Sequence, residues 1–390
     1  MPRFSFAWSP LGEKLAFRGG VGIFYDRPEG NIIFSTLNSP PFNESITREN
    51  ANLANPLAGT TPAAQPFGTI EAIDENFQVP KTTNWSFSVQ RELPLGMFAE
   101  AAYVGSAGRN LTRRPDINRL TPEQTRARAA LPTAQQPNVN ALRQYQGFSA
   151  INMHLSDAYS NYHALQLFLA KRRGTFNYTI SYTLGSSKSV GNARGDGGVD
   201  GIDEDVFTIP AENYGPSSND RRHIFVLTYQ YRFPTLQKSN VVLKTLFGGW
   251  EVSGITNYQS GAPETPDANV APFGTRRADY LGGPVQQETP DPTVDALWVR
   301  ESFAPAPADR KGNAPIGVLR LPGLKRWNVA LRKRTTLAKD VRLTFQFDAF
   351  NVFNQVNFRG PNTRVDQDSF GTFSSAAPPR ELQVGVRLDF

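Results

Sequence analysis

The chain has no cysteine and only three histidines, and none of its apolar runs approaches the length of a membrane-spanning helix. The missing cysteines exclude disulfides and thiolate metal centres. His154, His163 and His223 are dispersed, without the spacing of metal ligands. Charged residues make up 19% of the chain, below the usual quarter. The net charge of +6 is spread out, with no dense Lys/Arg tract among aromatics, so no nucleic-acid partner is expected. Nucleophile elbow, Walker loop and dinucleotide fingerprint are all missing, so the expectation is a protein that is not an enzyme, with no catalytic residue and no cofactor. Met1 is followed at once by strand-like sequence rather than a basic and apolar leader, and the chain is expected to lack its own signal peptide.

What the chain does have is glycine (32), proline (30) and 11% aromatics, a mix that favours strands and turns. The clearest segment is the last. Leu382, Val384, Val386, Leu388 and Phe390 alternate with Gln383, Gly385, Arg387 and Asp389, which places the two sets on opposite faces of a strand. The same period of two recurs over residues 3–9, 14–25, 84–92, 97–104, 161–171, 175–184, 223–233, 327–333 and 340–350, and less regularly over 250–258. About eleven strands result.

Short links (10–13, 93–96, 172–174, 334–339) alternate with long ones (26–83, 105–160, 185–222, 259–326, 351–379). A soluble sandwich has no reason for that alternation. A barrel crossing a membrane has one, with tight turns on the periplasmic side and long loops outside. Trp8, Tyr25, Trp85, Tyr103, Trp250, Tyr258, Trp327 and Phe390 fall near strand ends, where two interfacial girdles would form. His163 and His223 begin strands and are expected to pack there. Inside one long loop, Thr121 with Pro122 and Gln124 predicts a capped helix over 121–131.

Several stretches are similar to the C-terminal half of the barrel of Oar-like TonB-dependent outer-membrane receptors. They are Pro2-Arg-Phe-Ser-Phe-Ala-Trp8, Arg18-Gly-Gly-Val-Gly-Ile-Phe-Tyr-Asp-Arg27, Asn84-Trp-Ser-Phe-Ser-Val-Gln-Arg91, Ala102-Tyr-Val-Gly-Ser106, Ser160-Asn-Tyr-His-Ala-Leu-Gln166, Asp220-Arg-Arg-His223, Gly248-Gly-Trp-Glu-Val-Ser-Gly254, Tyr258-Gln-Ser-Gly-Ala-Pro263 and Asp348-Ala-Phe-Asn-Val-Phe-Asn-Gln-Val-Asn-Phe358. The resemblance implies an all-β fold over residues 1–390: a partial antiparallel transmembrane β-barrel, about eleven strands of a barrel of about 22. It also implies a signal peptide, a regulatory domain, a plug and a first barrel half, all four of which are expected to be missing here. The partners implied are outer-membrane lipid, the missing N-terminal half and plug, TonB through that plug alone, and the barrel-assembly machinery through Val386, Leu388 and Phe390. The implied location is the outer membrane of a Gram-negative cell.

Arg18, Glu100, Arg232, Arg342, Asp348, Arg387 and Asp389 stand opposite the apolar sets and are expected to face the lumen, paired across the wall or lining a substrate path. Asp196, Asp200, Asp203 and Asp205 lie beside glycines and form a weak candidate for Ca²⁺; their spacing is not that of an EF-hand, a solvated extracellular loop is the better account, and no other metal site is expected. Part of a receptor moving a bulky nutrient, an oligosaccharide or a peptide, is the leading expectation. The alternatives are a non-transporting surface or adhesion protein and a non-functional barrel fragment. A soluble β-sandwich enzyme would need acidic pairs or a metal constellation on its loops, and the sequence has none.

Overall fold

A computed structural model describes residues 2–390 apart from 29, 40–42, 44–53, 56–67, 191, 194–198, 201–209, 237, 239, 271–274, 289–294 and 339. Eleven strands form one antiparallel sheet in chain order: β1 (Arg3–Trp8), β2 (Leu15–Tyr25), β3 (Lys81–Leu93), β4 (Met97–Arg113), β5 (Ile151–Lys171), β6 (Phe176–Val190), β7 (His223–Arg232), β8 (Trp250–Gln259), β9 (Leu324–Ala338), β10 (Val341–Phe350) and β11 (Glu381–Asp389). Each pairs only with its sequence neighbours among these, so the sheet is a meander with β1 and β11 at open edges. Two short strands add to it, Ile70–Ile73 beside β5 and Tyr214–Pro216 beside β6.

The period-two pattern stays in phase through every pairing. On one face Phe6 opposes Gly19, Gly19 opposes Phe87, Phe87 opposes Tyr103, and Tyr103 opposes Leu165. Further on, Tyr231 opposes Val252, then Leu331, Phe347 and Val384 follow in line. A slip of one residue anywhere would turn the next strand inside out. This face stays uncovered: Phe4 is 66% and Val386 68% exposed, and the other ladders among the described residues are two-stranded pieces of loop. Leu165 is exposed likewise, while Val341 and Phe345 are half-covered by neighbours. Close approach of two strands requires Gly105, since a Cβ there would lie 2.2 Å from the Trp85 ring.

At one end of the sheet the connections are tight. Residues 94–96 turn with Leu95 and Gly96 at positive φ, and Gly174 turns the next hairpin the same way. The link from β7 to β8 is longer than its companions and carries a helix, Val241–Phe247, which the alternation of loop lengths does not anticipate. At the other end the long connections fold on one another. Residues 260–323 and 351–380 share the largest fully buried side chains among the described residues, Trp298, Phe370 and Leu319, packed with Val270, Leu297 and Phe303. The apolar core therefore lies in the loops, and the sheet itself has none between layers. The helix expected inside residues 114–150 is present at Pro122–Ala129, and Thr121 and Gln124 cap each other as a reciprocal box.

Candidate ligand-facing surface

The polar face carries a hydrogen-bonded ladder across four strands. Arg232 on β7 meets Glu251 on β8 at 3.3 Å, and Arg332 on β9 approaches the same carboxylate at 3.6 Å. Arg332 then donates to Gln346 Oε1 on β10 at 3.0 Å, and Gln346 Nε2 donates to Asp348 at 2.8 Å. The register makes this geometry: Arg232, Glu251, Arg332 and Gln346 are successive direct neighbours. Nearer the edge, Arg387 Nε donates to Asp389 at 2.6 Å within β11. Of the seven charges singled out in the sequence, Arg232, Asp348, Arg387 and Asp389 are thus held in pairs. Arg18, Glu100 and Arg342 make no ion pair or side-chain hydrogen bond among the described residues, and all seven share the face opposite the apolar band. Glu251, Arg332 and Gln346 complete the ladder, and only the register reveals them.

A hollow of about 560 Å³ opens on the polar face where β1 to β4 are rich in glycine and serine, with Gly20, Gly22, Ser86, Ser106 and Tyr162 in its wall. Toward the loops, a second cavity of about 450 Å³ is lined by Lys188, Glu212, Tyr214, Arg277 and Lys311. A third of about 280 Å³ adjoins it through Glu212 and Lys311 and adds Arg126, Arg276 and Asp309. Both are basic in composition, but much of that charge is matched. Lys311 pairs with Glu212, and Arg126 with Asp309 at 2.8 Å, ties that also join three separate loops.

Carboxylates lock the loop assembly together. Asp279 is buried, which by itself raises its pKa. The Arg310 fork, with a 2.7 Å bond, and the Asn313 backbone N–H outweigh this and hold the carboxyl below its ordinary value. At Asp267 the balance is reversed: burial pushes it above the usual range despite a hydrogen bond from Thr363 and the nearby charge of Arg364. Asp220, 4% exposed, accepts from Ser187 N at 2.8 Å and from Arg320 at 2.8 Å, so it fastens β6 to the loop 260–323.

The histidines find packing roles. His163 Nδ1 lies 2.8 Å from the Tyr103 hydroxyl, and His223 Nδ1 lies 2.7 Å from that of Tyr182, the same pairing two strands apart. With Trp85, Tyr258 and Trp327 they form an aromatic row near the long-loop end. Trp8, Phe17, Phe176, Tyr231 and Trp250 line the short-turn end. On β8, Trp250 and Tyr258 stand eight residues apart, about 26 Å of strand and close to the height of a lipid-facing band. His154 is buried by the short strand Ile70–Ile73, with Nε2 3.3 Å from Glu71 Oε2. Asp196, Asp203 and Asp205 lie outside the described residues, as does the side chain of Asp200.

Comparison with known proteins agrees with this geometry. The outer membrane beta barrel domain family matches residues 1–383. The outer membrane transporter YddB from Escherichia coli is similar over 99% of this chain and 40% of its own, with 12% identity and a TM-score of 0.55. The FrpB iron transporter from Neisseria meningitidis (F3-3 variant) matches over 99% of this chain and 38% of its own, with 12% identity and a TM-score of 0.47. The chain thus spans about two fifths of the length of these structures, and the likeness to the YddB transporter, at such identity, is one of fold. No curated protein matches it. An uncovered apolar band, an in-phase meander and tight turns opposite long loops are all features of a wall set in lipid, and the chain belongs to the outer membrane β-barrel domain family.

Proposed function

We propose that this chain is the C-terminal part of the barrel of an Oar-like TonB-dependent receptor that takes up a bulky nutrient, an oligosaccharide or a peptide. The observation that carries the reading is the eleven-strand meander with one apolar and one polar face, which matches two fifths of the length of an outer membrane transporter. Its open edges support completion by further strands, because each unsatisfied backbone group left in lipid costs several kcal/mol. The polar face is assigned to the lumen, with Arg18, Glu100 and Arg342 offered to substrate and the Arg232–Asp348 ladder stiffening the wall. Val386, Leu388 and Phe390 are assigned to recognition by the barrel-assembly machinery. TonB would act through a plug carried by another part of the receptor. In the acidic loop, Ca²⁺ is a ligand to be tried with Asp196, Asp200, Asp203 and Asp205.

Uptake tests this reading. Cells lacking the gene should lose energy-dependent accumulation of a fluorescent oligosaccharide or peptide drawn from a panel, and dissipating the proton-motive force should reproduce the loss. Surface binding that disappears with the gene but persists without energy would instead assign the protein to adhesion.

A further inference from the structure

The helix Val241–Phe247 sits at the short-turn end with its apolar residues bare. Val241 is 77%, Val242 64% and Phe247 62% exposed, and Leu243 and Leu246 are exposed as well. A surface helix of a soluble segment would hide such a set against the protein. The helix is nonetheless well built. Asn240 caps it by accepting from Leu243 N at 2.8 Å, and Gly248 ends it, where a Cβ would lie 2.5 Å from the Thr235 carbonyl oxygen.

Its position follows from two side chains. Trp250 Nε1 donates to Leu246 O at 2.9 Å, and Lys333 Nζ donates to Gly248 O at 2.7 Å while lying 5.0 Å from the Trp250 ring centre. Trp250 and Lys333 oppose each other in the ladder, and Lys333 opposes Phe345, which opposes Val386. Both anchors therefore belong to the apolar face. The C-terminal end of the helix is held on the lipid side of the wall rather than beneath the bore. A lysine on that face would be costly in hydrocarbon. Here its ammonium reaches carbonyls at a helix C-terminus, where the dipole favours a cation. Beside it, Phe176, Tyr231 and Phe233 make a contiguous aromatic row with centroids 6.2 and 4.8 Å apart.

We infer that the helix Val241–Phe247, with Phe233, Trp250 and Lys333 at its root, forms a membrane-surface anchor, in which the helix lies in the periplasmic interface of the bilayer and its apolar residues extend the lipid-contacting band outward from the wall. The occupant of this surface is phospholipid, because the patch is continuous with the band that lipid already covers, and because tryptophan and lysine at its root are the side chains that settle in such an interface. The inference rests on the barrel reading above.

Spin labels separate the two. Single cysteines replace Val242, Phe247, Leu165 on the band and Ala134 in a long loop, in the complete gene product reconstituted in phosphatidylethanolamine–phosphatidylglycerol vesicles. Accessibility to oxygen and to a water-soluble nickel chelate is then read for each. The labels at Val242 and Phe247 should favour oxygen several-fold over the Ala134 label, in the sense shown by Leu165. If Leu165 reports lipid while the two helix labels collide with nickel as Ala134 does, the helix stands in water and the inference fails alone. Helix labels shielded from both reagents would mean a protein cover, which also overturns it. Nickel access at Leu165 would remove the lipid-facing wall and the inference with it.

Discussion

Asp279 shows how single residues secure the loops. Its carboxyl is buried, yet the Arg310 guanidinium and the Asn313 N–H hold its pKa below the ordinary carboxylate value. A group depressed on folding contributes stability that is complete above its unfolded pKa of about 3.9 and is lost as the pH falls through the lower folded value. The loop core around Trp298 and Phe370 should therefore keep its protection at pH 5 and loosen only below about pH 4, read by hydrogen exchange of amides in 275–320. Asp279→Asn should cost about 1–2 kcal/mol of local stability at neutral pH and should flatten the acid transition. Unchanged exchange in that variant would show that the Arg310 contact holds nothing. Other residues of the recurring motifs have similarly concrete jobs. Asn351, at φ +50, exchanges hydrogen bonds with Gln355 to shape the corner after β10, and Asn357 clasps both backbone groups of Lys325. Asn351 finds its partner four residues on, but Lys325 lies 32 residues before Asn357, and a tie of that span is not legible in the sequence.

At the scale of elements, alternation was the dependable guide. All eleven strands stand where the period of two places them, because one face meets an apolar surroundings along its whole length and the pattern cannot slip. The ends were less legible. β4 runs to Arg113 and β5 begins at Ile151, well beyond the clean alternation, since register shifts after Gly108 and Leu111 break the period while the ladder continues. Asn110, at positive φ, sits in that irregular stretch. The helix Val241–Phe247 was missed because seven mostly apolar residues show no usable period. The loop core was missed because it is assembled from two segments that only the fold brings together. Two neighbours on β5 test the faces directly. Leu167 opposes Ala101 and Tyr182 on the apolar side, whereas Gln166 opposes Ala102 and Thr183 on the other. Leu167→Arg should destabilise the complete protein in lipid by about 2–4 kcal/mol, and Gln166→Arg by far less, in urea titrations of the heat-modifiable folded form. Equal costs would refute the assignment of the faces.

For the whole molecule the deciding feature is the open sheet. Among the described residues, β1 and β11 each leave one side of the backbone without a strand partner over six and nine residues. In water such edges can be solvated; in hydrocarbon every group left over costs several kcal/mol, far more than the marginal stability of a domain could absorb. The loops do not relieve this, since their core gathers at the membrane-distal end and covers neither edge. Uncovered apolar side chains add a second difficulty, because Phe4, Trp8, Val384 and Val386 stand bare right at those edges. These residues and backbone groups together are what supports the proposed completion by strands of a larger barrel, whether on the same polypeptide or another. The 390-residue segment expressed by itself and transferred to detergent micelles should therefore run without a heat-modifiable band and be cut by chymotrypsin at the aromatic residues of β1 and the leucines of β11. The complete gene product should give a compact, heat-modifiable species in which both strands resist the protease. A compact, resistant species from the segment alone would mean that the edges meet, either around a small eleven-stranded pore or between two copies, and the larger barrel would no longer be needed.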